Sequence, residues 1–148
     1  MIIKMYAIFA RETLRQMQYE GKLAAQAGHC FLHAWWDADN RFGNTQRSAY
    51  DDNIFDGSFE PNYGDIMDMY RYGDDARKIT LVVDTVEELK QIYEWARPHM
   101  GATLVEDCGY TVFNQPTITG VGLGPIPSDW TIGTILGDLK TYGNEIHV

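Results

Sequence analysis

Two short apolar runs, Lys4–Ala10 (KMYAIFA) and Lys78–Val83 (KITLVV), are each followed by helical periodicity, and this alternation constrains the fold more than any other feature. After the first, Leu23, Ala24, Ala27, Phe31 and Ala34 recur at spacings of three and four. They predict a helix from Gly21 to about Trp36 whose small residues allow close packing. After the second, Thr85 and Glu88 form a T-x-x-E capping box before Val86, Leu89, Ile92, Tyr93 and Ala96, a stripe that stops ahead of Pro98. Ala102–Val105 and Thr117–Leu123 read as two more strands around a turn over Asp107–Gln115. Ser128 is expected to cap a last helix with Trp130, Ile132, Ile135, Leu136 and Leu139 on its apolar face. The order β-α-loop-β-α-β-β-α predicts an α/β fold, a three-layer α/β/α sandwich with a mixed four-stranded sheet, in a single domain over residues 1–148.

Residues 37–75 differ in character. They hold seven aromatics and no sustained period, and their Gly, Asn and Asp residues favour turns. A long loop is expected there, with one helical turn near Asp65–Tyr70. Ten acids against Arg41, Arg47 and Arg71 give this stretch −7 of the net −9, so the acidity is local. A general nucleic-acid binder is disfavoured by the total, because such affinity rests on neutralised phosphates. The first 30 residues are mildly basic, through Lys4, Arg11, Arg15 and Lys22.

Arg11 and Glu12 interrupt the first apolar run before any cleavage site, and no run approaches the roughly 20 residues that span a bilayer. Neither a signal peptide nor a membrane partner is expected. Cys30 and Cys108 read as reduced thiols of a cytoplasmic protein.

Several familiar motifs fail on inspection. Gly120, Gly122 and Gly124 are followed by Pro125, which breaks the G-x-G-x-x-G dinucleotide pattern; glycines that permit close packing fit better. Residues 52–63 lack the acidic twelfth position of a calcium loop. His29 and His33 have zinc-ligand spacing, but Cys30 stands where a metalloprotease needs Glu and no third ligand is evident. No G-x-S-x-G elbow exists. What remains is Lys22, with Gln26 and His29 on its helical face, and Asp107 at a strand end near Thr117 and Thr119. These six admit a plain alternative as a solvated lysine, a turn aspartate and strand threonines.

Gly21-Lys22-Leu23-Ala24-Ala25-Gln26 followed by His29 resembles the G-K-[IV]-A-A-Q-C-S-H-A signature of the archaeal and eukaryotic type of peptidyl-tRNA hydrolase. Lys78–Val83 with Asp84, Thr85 and Glu87-Glu88-Leu89 is similar to that family's K-I-V-L-K-V-D-S-E-E-E-L segment. Asp107-x-Gly109-x-Thr111, Thr117-x-Thr119 and Gly124-Pro125-x-Pro127 fall in register with its D-A-G-R-T and G-P-A-P stretches, and Gly137-Asp138-Leu139-Lys140 with its G-H-L-K. The resemblance implies a hydrolase that acts in translation, cleaving the ester of peptidyl-tRNA without metal or other cofactor. It implies Lys22, Asp107 and Thr119 as catalytic residues, with Gln26, His29 and Thr117 binding substrate. The implied partner is tRNA, with a homodimer and a protein partner at residues 37–75 as further expectations. Gly28, Tyr110 and Val112 depart from the family pattern, which takes Ser, Arg and Gln there. These departures motivate an alternative, a non-catalytic binding module of the same fold that presents its acidic stretch to a protein. Residues 37–75 are expected to be an insertion, packed away from the Lys22–Asp107 edge if the chain is a hydrolase.

Overall fold

A computed structural model describes residues 1–17, 20–48, 60–74, 76–107, 115–131, 134–137 and 139–141. Strand β1 (Ile3–Ala10) lies in the middle of the sheet, and every residue of it except Lys4 is buried, as suits a strand covered on both faces. It leads through a single turn, α1 (Arg11–Leu14), and a 3₁₀ turn (Arg15–Met17) into the long helix α2 (Glu20–Phe42). Next come α3 (Tyr63–Tyr72), β2 (Ala76–Val83), α4 (Val86–Ala96), β3 (Ala102–Asp107) and β4 (Thr117–Pro127). A two-residue strand, β5 (Lys140–Thr141), follows.

The sheet order is β3-β4-β1-β2-β5. The four expected strands are present, and β5 adds a short edge beyond β2. β1 and β2 run parallel, from Ile3 opposite Ala76 to Ala10 opposite Val83. β4 is antiparallel to both β1 and β3. Hence β1, β2 and β3 all finish at one end of the sheet, where β4 begins, and Asp107 lies directly opposite Thr117 there.

The alternation of β1 divides the core into two layers. Ala7 and Phe9 pack with Met17, Cys30 and Val105 beneath Leu23, Ala27 and Phe31 of α2. Tyr6, Ile8 and Ala10 face the other way, toward Leu89, Ile92 and Ala96 of α4. Three layers result, α/β/α. Thr85 caps α4 as the T-x-x-E spacing predicts, its hydroxyl accepting from the Glu88 amide at 3.2 Å.

α2 is pressed hard onto β4. A Cβ placed on Gly122 would lie 1.9 Å from the Cys30 carbonyl oxygen, so only glycine permits this approach. Ala34 and Ala38 continue the small-residue face, both fully buried. The glycines of β4 are therefore packing devices, as the sequence suggests.

Three expectations need correction. α2 does not stop near Trp36 but runs to Phe42, held by the i,i+4 pair Asp37–Arg41 at 2.6 Å. The single turn near Asp65–Tyr70 is a ten-residue helix. Asn62 caps it through a reciprocal box with Asp65, both bonds 2.9 Å. The last helix is replaced, among the described residues, by successive tight turns. A 3₁₀ turn covers Ser128–Thr131, and Thr134, Gly137 and Leu139 each donate to the carbonyl three residues back. Of its expected apolar face, Trp130 is 46% exposed and Ile135 40% exposed.

Asp37, Asp65 and Asp68, three of the ten acids in 37–75, tie this stretch down. Asp37 accepts from the Ala102 amide at 2.9 Å, Arg47 pairs with Asp68 at 3.0 Å, and Asp65 accepts from the Ser48 amide and hydroxyl. Phe42 meets Tyr63 at 4.8 Å and Trp35 meets Tyr70 at 5.9 Å, so α3 lies against one flank of α2. Among the aromatics of this stretch, Phe42 and Tyr63 thus anchor it to α2; Tyr50, Phe55 and Phe59 lie outside the described residues.

Candidate active site

Lys22 sits in the first turn of α2, where the unpaired amides of a helix start favour negative charge. Its ammonium donates to the Asp107 carboxylate at the end of β3. Both partners are largely covered, with side-chain exposures of 14% and 6%. A buried ion pair is a poor stability device, because desolvating two charges offsets most of their attraction. Its place at a sheet edge, one turn into a helix, suits chemistry better than structure.

One turn further along α2, Gln26 is buried and faces β4. The Thr119 hydroxyl donates to its side-chain oxygen at 2.7 Å and lies 3.3 Å from the Val105 carbonyl. Thr119 itself is fully buried, so its hydroxyl holds Gln26 in place rather than reaching outward. Thr117, two residues earlier on the same face of β4, is half-buried and donates to the Gln115 carbonyl at 2.9 Å. His29 is exposed, and its ring meets His33 at 5.5 Å. The fold therefore brings Lys22 to Asp107 and Gln26 to Thr119 and sets Thr117 beside them. His29 lies at the rim.

The arrangement follows from packing. Lys22 and Gln26 share the stripe of α2 that overhangs β3 and β4, and the closeness fixed by Gly122 carries both side chains down to the strands. Cys30, a turn beyond Gln26 and fully buried, has its thiol pushed up to about 12 by burial, which keeps it an inert packing group. Gly28 falls on the exposed outer face, about 200° around the helix from Gln26. A serine there would add no hydroxyl to the Lys22–Asp107 pair. Cys108, Tyr110 and Val112 lie outside the described residues.

A three-layer α/β domain with its polar groups gathered at the carboxyl ends of its parallel strands is the class of protein defined here, and that end is where such sheets hold ligands. The sequence profile of the family Peptidyl-tRNA hydrolase PTH2 matches residues 3–142, and the chain belongs to that family. A protein named peptidyl-tRNA hydrolase from Methanocaldococcus jannaschii is 28% identical over 122 residues, covering 82% of this chain and 86% of its own. Two others of that name, from Sulfurisphaera tokodaii and Sulfolobus acidocaldarius, are 38% and 41% identical over 64 residues. Each of those matches covers 43% of this chain and 52% of the relative.

Proposed function

We propose that this chain hydrolyses the ester joining a peptide to the 3′ ribose of tRNA, in cytoplasmic translation, with the Lys22–Asp107 pair at the reaction centre. The observation that carries this reading is the pairing of those two side chains across α2 and β3, in a chain of this family. The Asp107 carboxylate accepts a proton from a water whose oxygen attacks the ester carbonyl carbon. Negative charge then develops on the carbonyl oxygen. The Lys22 ammonium and the side-chain amide of Gln26, one turn apart, supply donors for it, and Thr119 fixes the orientation of that amide. On collapse the bond to the ribose oxygen breaks, and the proton held by Asp107 passes to that oxygen. The products are a tRNA with a free terminal hydroxyl and a peptide carboxylic acid, which releases its proton to solvent to become the carboxylate.

The family match gives the binding-module alternative no support, and Gly28, one of the departures that motivated it, lies away from the site. Incubation with peptidyl-tRNA, followed on an acid gel, tests the proposal. The wild type should release tRNA, and Lys22→Ala should be at least about a hundredfold slower while remaining folded. A wild type no faster than Lys22→Ala would remove the reading.

A further inference from the structure

Among the described residues, one flank of α2 is exposed beyond Gln26, at His29, His33 and Trp36, and leads away from Lys22. Helical positions advance by 100°, so Lys22, Gln26, His29, His33 and Trp36 fall within about 80° of one another. Trp35 and Phe42 occupy the opposite flank, where Tyr70 and Tyr63 of α3 cover them. α2 runs alongside the edge strand β3, since Lys22 meets Asp107 at its end and Asp37 accepts from the Ala102 amide at its start. Along the open flank the His33 ring stacks on Trp36 at 5.3 Å and 19°, and Trp36 is 56% exposed.

Charge does not separate the two ends, since Lys22 pairs with Asp107 and Arg11 with Asp84 at one, and Asp37 pairs with Arg41 at the other. The edge strand β3 offers backbone hydrogen bonds, which match a peptide in extended form and suit any sequence, whereas an RNA strand presents no such ladder.

Building on the hydrolase reading, we propose that this flank, with His29, His33 and Trp36, holds the peptide part of the substrate. The helix rise places His29 about 10 Å and Trp36 about 21 Å beyond Lys22. An extended peptide covers about 3.3 Å per residue, so the contact with Trp36 begins near the sixth residue from the ester.

The test uses one tRNA carrying either a single N-acetylated residue or an N-acetylated peptide of eight uncharged residues with an aromatic sixth from the ester. Trp36→Ala should raise KM for the eight-residue substrate about fivefold. It should leave the one-residue substrate, and the affinity for deacylated tRNA, unchanged. An equal loss on both substrates and on deacylated tRNA would mean that the flank holds RNA and would overturn the proposal, as would no loss on either. If the wild type cleaves neither substrate, the hydrolase reading fails separately. The flank is then read by titrating the free N-acetylated octapeptide amide against indole fluorescence. A saturable change that Trp36→Ala abolishes supports peptide binding, and its absence overturns it.

Discussion

Gly122→Ala should damage stability and catalysis together, because the closest contact between helix and sheet is also what brings the site residues into reach. The added methyl would meet the Cys30 carbonyl oxygen at 1.9 Å, its carbon at 2.6 Å and its Cα at 2.9 Å. These are backbone atoms of α2, so no side chain can turn aside. Restoring ordinary contact requires the helix to retreat by about 1.5 Å. Overpacking of this kind costs about 1–3 kcal/mol. The same movement would stretch the 2.7 Å bond from Thr119 to Gln26, whose loss inside the core adds about 1–3 kcal/mol. A total of about 2–6 kcal/mol is expected in urea unfolding followed by circular dichroism. The fraction that stays folded should have lowered kcat, because Lys22 leaves Asp107. Gly28→Ala is the control: nothing lies within 4 Å of its Cβ position, so relief of helical glycine should stabilise by about 0.5–1 kcal/mol at full activity. A Gly122→Ala protein within about 0.5 kcal/mol of wild type and fully active would refute the packing argument.

Other outcomes follow from single features. Burial raises the Cys30 thiol to about 12 and also raises Tyr6 and Tyr63, so each binds its proton more tightly folded than unfolded. Stability should be fully present below the unfolded thiol value near 9. It should fall by about 1.4 kcal/mol per pH unit between about pH 9 and 12 through Cys30, with Tyr6 and Tyr63 adding to the loss only above their unfolded value near 10, measured by urea midpoints; Cys30→Ala should flatten the part of the slope that starts near pH 9. Asn62→Ala removes the cap of α3 and should cost about 1 kcal/mol in thermal unfolding, with turnover unchanged. Thr119→Val should lower kcat about tenfold or more with KM little altered, since it frees the Gln26 amide to turn, and Thr119→Ser should restore the rate.

The sheet and its flanking helices were legible where a short-range rule governs. Alternation and β-branching mark β1 and β2, and the Thr85–Glu88 spacing marks the start of α4 at the observed residue. The errors have particular causes. Asn62 and Asp65 read as turn formers, yet the same side chains start α3 by satisfying its first amides. The apolar spacing after Ser128 imitates a helix, but Gly133 and Gly137 weaken one, and Trp130 and Ile135 face outward. At the site, helical periodicity places Lys22 and Gln26 on one face, and nothing local says that Asp107 and Thr119 complete it. That pairing depends on the register of β3 against β4 and on the depth to which Gly122 admits α2. Only the family resemblance carried it. In the sequence His33 stands only as half of the His29–His33 zinc spacing and Trp36 only as the end of a helix, since a ladder along one flank shows only when the opposite flank is seen to be covered.

A double-mutant cycle on Lys22 and Asp107 tests the central claim most directly, read as single-turnover hydrolysis of peptidyl-tRNA. If the two side chains act as one unit, Lys22→Ala and Asp107→Ala each lower the rate about a hundredfold or more, and the double variant is hardly slower than either. Losses that multiply, or a single variant that keeps the wild-type rate, would contradict the account.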